Sequence, residues 1–339
     1  MASELFIKGR LDQVCNKSYT KSLDVEDILF LLTIPGGSLE QTILLERATQ
    51  MSRDLARNKG KIYGQIGVDD MVCPCDCAYC AFASINVKEK AKETDLRVFR
   101  PKKDRESVLM EDQFKEILEA FKEAHVDMVS LMATSALSLS TLASMVKTAK
   151  TTLDKDQEVF VNYRDMDSVE IQELVDAGAD GFYHALRVCE GKITKIEPAA
   201  RLATMKAIAE NKSAKLMTGV EPVWQNMDDE ELHSLANVIL ETSKFDAYQT
   251  GVCGLYSIKG GSLDRRPPTE SWVQHVSAVL RIACNFKSPL GCAGGVMWVD
   301  AGADPRDRGI KSSHDAILAN THRSAESLKR KGWELNKYL

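Results

Sequence analysis

Short apolar runs alternate with amphipathic stretches through most of this 339-residue chain, and that alternation constrains the fold more than any other feature. Residues 126–132 form a run expected of a buried parallel strand. A helix over 141–151, a strand over 158–162 and a helix over 168–176 follow, the last closed by Gly178 in a left-handed conformation. The pattern continues with strands over 181–187, 214–223, 246–256 and 289–293 and with helices over 199–209, 228–242 and 272–282. Upstream, Phe114, Ile117, Leu118 and Phe121 share one helical face, and residues 62–72 read as a first strand. Parallel strands need crossover helices, and right-handed crossovers repeated about an axis close the sheet. The expected fold is therefore α/β, a (βα) barrel of TIM type, partial or complete. Seven strands are convincing. The eighth is expected after Ala301-Gly302-Ala303-Asp304, where Pro305-Arg306-Asp307-Arg308-Gly309 is a poor strand former and leaves the barrel incomplete or open.

Helical patterns flank this unit. Leu23, Val25, Ile28, Leu31 and Leu32 have helical spacing and stop at Pro35-Gly36-Gly37; Ser38 can cap a second helix. The organisation reads as an N-terminal helical extension over 1–60, the barrel over 61–310 and a C-terminal helix within 311–339. A charged segment over 88–103 is expected to be mobile. The formal net charge of -5 argues against a broad basic face and so against nucleic acid as a partner. No run of about 18 apolar residues is present, so no membrane span is expected. The opening MASELFIKGR lacks the layout of a secretory signal, which points to the reducing cytoplasm.

Nine cysteines are the unusual count. Four of them fall in Cys73-Pro74-Cys75-Asp76-Cys77-Ala78-Tyr79-Cys80, directly after the first strand. In a reducing compartment such a cluster reads as metal or redox chemistry rather than a disulfide frame. A zinc ribbon needs two separated CxxC pairs, and only one compact group is present. Soft thiolates hold iron–sulfur clusters, usually four at a time. Three thiolates at Cys73-x3-Cys77-x2-Cys80 would leave one iron open to a small molecule.

This spacing resembles the signature of the radical S-adenosylmethionine (SAM) enzymes, with Tyr79 where that family has an aromatic residue. The resemblance implies a [4Fe-4S] cluster on Cys73, Cys77 and Cys80, with SAM chelated at the open iron and Tyr79 near its adenine. Cleavage of SAM by one electron would release a 5′-deoxyadenosyl radical that abstracts hydrogen from a small-molecule substrate. It implies a one-electron reductant of flavodoxin or ferredoxin type as partner. Cys75 is a competing ligand, but only Cys73 keeps the family spacing.

Further positions fall at expected strand ends, where barrel enzymes gather their ligands. Met132-Ala133-Thr134-Ser135 stands where the family often has a Gly-Gly-Glu-like stretch. Thr134 and Ser135 could supply oxygens there, while Ser135 or Ser138 could equally cap the next helix. His184-Ala185-Leu186-Arg187-Val188-Cys189-Glu190 resembles a segment of the biotin-synthase and hydrogenase-maturase branch, where an Arg meets the SAM carboxylate. Arg187 has the matching fork; the competing reading is a surface salt bridge. Thr218-Gly219-Val220-Glu221-Pro222 loosely resembles the family's glycine-containing strand near adenine. Gly260-Gly261-Ser262-Leu263 and the turn at Ala301 resemble stretches of the same branch. Cys189, Cys253 and Cys292 could hold a second iron–sulfur cluster, as in enzymes that insert sulfur; as free cysteines they could equally pack as small apolar groups. His184 could line the pocket or sit in the core. The leading expectation is a cytoplasmic radical SAM enzyme of cofactor biosynthesis. The alternatives are sulfur insertion of biotin or lipoyl type, a single-cluster rearrangement or maturation enzyme, and a non-catalytic metal-binding barrel.

Overall fold

Local signals place the elements. The computed structural model describes residues 2–88, 108–255, 258, 261–285, 290–291, 298–300, 314–330 and 332–335. Three helices come first: α1 (Ala2–Ser18), α2 (Val25–Leu32) and α3 (Leu39–Ala56). Asp24 caps α2 through a reciprocal box with Asp27, and Ser38 caps α3 by accepting from the Gln41 N–H at 3.1 Å. Helix α1 falls within the helical extension expected over 1–60, and its buried side chains Leu11, Val14 and Cys15 have helical spacing.

Strands and helices then alternate: β1 (Lys59–Gly67), α4 (Ser84–Lys88), α5 (Glu111–Glu123), β2 (Met128–Met132), α6 (Leu139–Thr152), β3 (Glu158–Asn162), α7 (Ser168–Asp176), β4 (Gly181–Tyr183), α8 (Pro198–Glu210), β5 (Lys215–Val223), α9 (Asp229–Ser243), β6 (Gln249–Gly254), α10 (Glu270–Cys284), β7 (Leu290–Gly291), β8 (Trp298–Asp300), α11 (His314–Arg330) and β9 (Glu334–Leu335). Capping boxes at Asp167 and Asp228 start α7 and α9. The apolar face of α5, Phe114, Ile117, Leu118 and Phe121, is fully buried. Each such side chain contributes about 1.5–3 kcal/mol. Gly64 on β1 makes room for this face, since a Cβ there would lie 2.2 Å from the Phe121 ring.

The strands form one curled parallel sheet in the order β7-β6-β5-β4-β3-β2-β1-β8, with β9 added to β1. Among the described residues no pairing joins β7 to β8, so the sheet is a partial barrel of TIM type. Two expectations are corrected here. The strand beside β1 precedes Ala301 rather than following Asp304, and β1 ends at Gly67 rather than running to Val72. Strand β4 stops at Tyr183, but the chain keeps to β5 as far as the Arg187–Glu221 bridge before it turns. The charged segment beyond residue 88, Gly260, Cys292, and the turn 301–307 lie outside the described residues.

Register assigns an inward face. Glu158, Phe160 and Asn162 of β3 stand level with Met128, Ser130 and Met132 of β2, and Phe160 and Asn162 with Gly181 and Tyr183 of β4. At the amino-terminal end, Glu158 is ion-paired with Lys61 and Lys215 and accepts the Tyr248 hydroxyl at 2.7 Å. Both lysines lie 4.8 Å over the Tyr248 ring. This polar group lies at the amino-terminal end of the sheet, opposite the carboxyl-terminal end where barrel enzymes gather their ligands. Outside, α2 packs on α9 and α3 on α10. His275 joins them: its Nε2–H donates to the Leu31 carbonyl (2.9 Å) and its Nδ1 accepts from the Gln41 amide (3.2 Å). Burial lowers the pKa of His275 and keeps it neutral for this role.

Candidate active site

The loop after β1 carries the cysteine motif, and its backbone is closed on itself. The Cys73 N–H donates to the Phe82 carbonyl (2.8 Å) and the Ser84 N–H to the Cys73 carbonyl (3.1 Å). Asp76, with φ of 49°, turns its carboxylate to the Ser84 hydroxyl, the Ile85 N–H (2.9 Å) and Lys195, and so caps α4. The Asn86 amide donates to the Ala78 and Cys80 carbonyls at 2.9 and 2.8 Å. The Ala78 N–H reaches the Ile193 carbonyl at 2.7 Å, which ties the loop to the segment after β4. Asp76 and Asn86 carry no sequence signal beyond lying beside the cysteines.

Cys77 is buried, and Cys73, Cys75 and Cys80 are half-buried. Burial pushes the Cys80 thiol up to about 12, and negative charge on Cys77 and Cys73 adds to the effect. Burial also raises Cys77, against the opposing charges of Arg187 and Arg201 and a hydrogen bond from Tyr79. Cys73 is lowered to about 5 by hydrogen bonds from Cys75 and Ser135, while Cys75 is pushed up by its bond to Cys73. Cys73 is thus the thiolate of the group, while Cys77 and Cys80 stay protonated until a metal takes their sulfurs. Among the described residues no three His, Cys, Asp or Glu side chains converge on a single-ion site. A cubane spreads its thiolates over different irons, so its ligand sulfurs stand farther apart than those of a single ion while facing one centre; three cysteine sulfurs on one loop are the donor set that suits it.

Tyr79, Arg187 and Glu221 come together, although 108 residues separate the first two. Arg187 Nε donates to the Tyr79 hydroxyl at 2.9 Å, and its Nη1 lies 2.8 Å from Glu221 Oε1 and donates to the Ala185 carbonyl at 3.0 Å. The Arg187 and Glu221 side chains are 11% and 18% exposed, so this is no surface salt bridge. The guanidinium also lies 5.9 Å from the Tyr183 ring centre. Gly219 clears the space beside them: a Cβ there would come within 2.6 Å of the Gly251 carbonyl oxygen and 3.3 Å of the Tyr183 hydroxyl.

A second buried network, unmarked in the sequence, underlies Arg187. Glu190 accepts from the Arg187 N–H (2.9 Å), Arg201 Nε (3.3 Å) and the Thr194 hydroxyl. Arg201 continues to Asp165 (3.1 Å), which also receives His184 Nε2–H at 2.8 Å. Burial lowers His184 to about 4, so it is neutral and donates this proton. Its ring is a buried, satisfied imidazole.

Thr134 and Ser135 sit on the other side of the cysteine loop. The Thr134 N–H (2.8 Å) and hydroxyl both donate to Asp69, a carboxylate only 2% exposed. Ser135 Oγ lies 3.1 Å from Cys73 Sγ. The cap of α6 is Ser138, whose hydroxyl accepts from the Thr141 N–H at 3.1 Å. Among the other cysteines, Cys189 turns to α9, with its N–H donating to Ser234 Oγ at 2.7 Å. Cys253 stands on β6 near Tyr183.

No protein-family profile matches the sequence, and no curated protein matches it. Solved structures do resemble it. Methylornithine synthase (PylB) is similar over 96% of this chain and 97% of that one, with a TM-score of 0.72 and 14% identity. The chain folds as that synthase does. The FeFe-hydrogenase maturase HydG from Carboxydothermus hydrogenoformans is similar over 97% of this chain and 79% of that one, at TM-score 0.70 and 14% identity. A second HydG structure, titled a maturase of the [FeFe]-hydrogenase, has TM-score 0.64 and 14% identity over 82% of this chain. The chain spans 62% of that HydG's length. At this identity the likeness speaks for the fold. No described helix is long and apolar enough to cross a membrane.

Proposed function

We propose that this chain is a radical SAM enzyme that binds a [4Fe-4S] cluster through Cys73, Cys77 and Cys80 and abstracts hydrogen from a small-molecule substrate in cofactor biosynthesis. One observation carries the reading: three motif cysteines on a hydrogen-bonded loop at the carboxyl end of β1, with the half-buried Arg187–Glu221 pair and Tyr79 beside them. The cysteine spacing and the fold shared with a hydrogenase maturase support it independently.

When bound, the cluster supplies the single electron that splits SAM into methionine and a 5′-deoxyadenosyl radical. The chain's own residues have simpler tasks. Cys77 and Cys80, held protonated by burial, release their protons on ligation, so cluster loading is favoured as pH rises. Arg187, held by Tyr79 at Nε and by Glu221 and the Ala185 carbonyl at Nη1, has its Nη2 left to meet a carboxylate such as that of methionine, and Glu221 suits an ammonium or hydroxyl donor. Tyr79 sets the distance between the fork and the cysteine loop. The barrel wall shields a reactive primary radical from water. The reading carries with it a flavodoxin- or ferredoxin-type reductant and a reducing cytoplasm.

The test is anaerobic reconstitution, iron and sulfide counting, and an assay for 5′-deoxyadenosine with SAM and a strong reductant. About four irons per chain are expected for one cubane, with product formation abolished in Cys77→Ala. A colourless protein that takes up no iron, or undiminished product in Cys77→Ala, overturns the proposal. About eight irons would indicate instead a second cluster and sulfur insertion, with Cys189, Cys253 and Cys292 as its candidate ligands.

A further inference from the structure

We propose that Ser135 donates a hydrogen bond to the cluster ligand Cys73, held in place by a buried Asp69–Thr134 clamp, and thereby raises the reduction potential of the iron–sulfur centre. This deepens the function proposed above and rests on it.

Ser135 Oγ lies 3.1 Å from Cys73 Sγ, within range for a sulfur acceptor. A metal-bound thiolate has no proton to give, so with the cluster in place the hydroxyl is the donor of the Oγ–Sγ contact, beside the Ser135 N–H and the Cys75 thiol, which also reach Cys73 and are left in place when the hydroxyl is removed. Ser135 is not needed as a helix cap, because Ser138 caps α6; its hydroxyl also neighbours Cys75. The contact bridges two loops 62 residues apart, and both are fixed by one carboxylate. Asp69 lies four residues before Cys73, and Thr134 immediately precedes Ser135. Asp69 accepts the Thr134 N–H at 2.8 Å, the Thr134 hydroxyl, and the Met71 N–H at 3.3 Å. The Thr134 hydroxyl in turn accepts the Ala136 N–H at 3.3 Å. Both ends of the Ser135–Cys73 contact are thus anchored to a group that is 2% exposed.

The effect has a definite sign. Reduction adds an electron to the cluster and its thiolates. A donor aimed at a ligand sulfur stabilises that added charge, and hydrogen bonds to the sulfurs are an established lever on cluster potential. Without the hydroxyl the reduced state loses stabilisation and the potential moves negative. Ser135 is therefore a positioning residue that acts through Cys73.

The experiment is an electron paramagnetic resonance redox titration of the full-length, anaerobically reconstituted protein, comparing wild type with Ser135→Ala and Ser135→Thr. At the wild-type midpoint, the ratio of reduced to oxidised cluster in Ser135→Ala is expected to fall about tenfold, about 59 mV for a one-electron couple. Ser135→Thr, which keeps the hydroxyl, is expected to return the ratio to within about twofold of wild type, a small fraction of the roughly tenfold factor per 59 mV. If the alanine variant holds no iron, the isosteric Ser135→Val and Ser135→Thr pair carries the same comparison. The inference is overturned if the variants lacking the hydroxyl titrate with wild type, or if threonine restores nothing. If wild type itself takes up no iron, the cluster assignment fails first; wild type with iron but no Ser135 effect sinks this inference alone.

Discussion

Removing Glu221 tests whether the buried pair beside the cysteines is coupled as its geometry implies. In Glu221→Ala the Arg187 guanidinium keeps only neutral acceptors, the Tyr79 hydroxyl and the Ala185 carbonyl. Breaking a buried pair in this way costs about 3–5 kcal/mol. An unfolding entropy of about 2.1 cal/mol/K per residue over 339 residues comes to about 0.7 kcal/mol/K. The melting temperature of Glu221→Ala should therefore fall by about 4–7 °C. Glu221→Gln keeps an acceptor and loses only its charge, a difference of about 1–2 kcal/mol, so it should fall by about 1.5–3 °C. The double variant Arg187→Met/Glu221→Leu leaves no unpaired charge and should melt within about 2 °C of wild type, because apolar replacement of a buried pair is often neutral. Scanning calorimetry at matched iron content measures all four proteins. Additive losses in the double variant, or a Glu221→Ala protein that melts with wild type, would refute the argument and mean that the guanidinium is already solvated.

Three more outcomes follow from other parts of the molecule. His184 has a folded pKa of about 4 against an ordinary 6.5, so only the unfolded chain binds its proton between those values. Its contribution is whole above pH 6.5 and is lost as pH falls toward 4, on the order of 3 kcal/mol in all; melting temperature should fall more steeply across that window in wild type than in His184→Gln, and parallel curves would rule this out. Ser138→Ala should cost about 1 kcal/mol by uncapping α6 and leave iron content unchanged; an iron loss there would place Ser138, rather than Ser135, at the site. Cys75→Ala should keep about four irons per chain where Cys73→Ala does not, and the reverse result would exchange their roles.

Much of the scaffold is legible in local pattern. Strand β3 and helix α7 match their sequence boundaries, and the buried face of α5 contains all four residues that the spacing selects, with Ala120 added. Period-3.6 and apolar-run signals are local, and so are caps such as Ser38 and turns such as Gly178. Strand β8 was misplaced because three residues, Trp298–Asp300, are too few to carry a period. Helix α1 lies within the stretch that reads as helical, but its weak amphipathic pattern does not mark its ends.

The cysteine motif is readable for the same reason: its members lie within eight residues, so one loop must carry them wherever the chain goes. Everything around that loop required the tertiary structure. Arg187 meets Tyr79 and Glu221, Ser135 meets Cys73, and Asp69 meets Thr134 because parallel register brings the carboxyl ends of β1, β2, β4 and β5 side by side. Sequence alone determined which chemistry-bearing groups share a loop. Only the packed sheet decided which distant groups face them, since a contact between residues 62 or 108 positions apart depends on strand order and register, and no local periodicity encodes either.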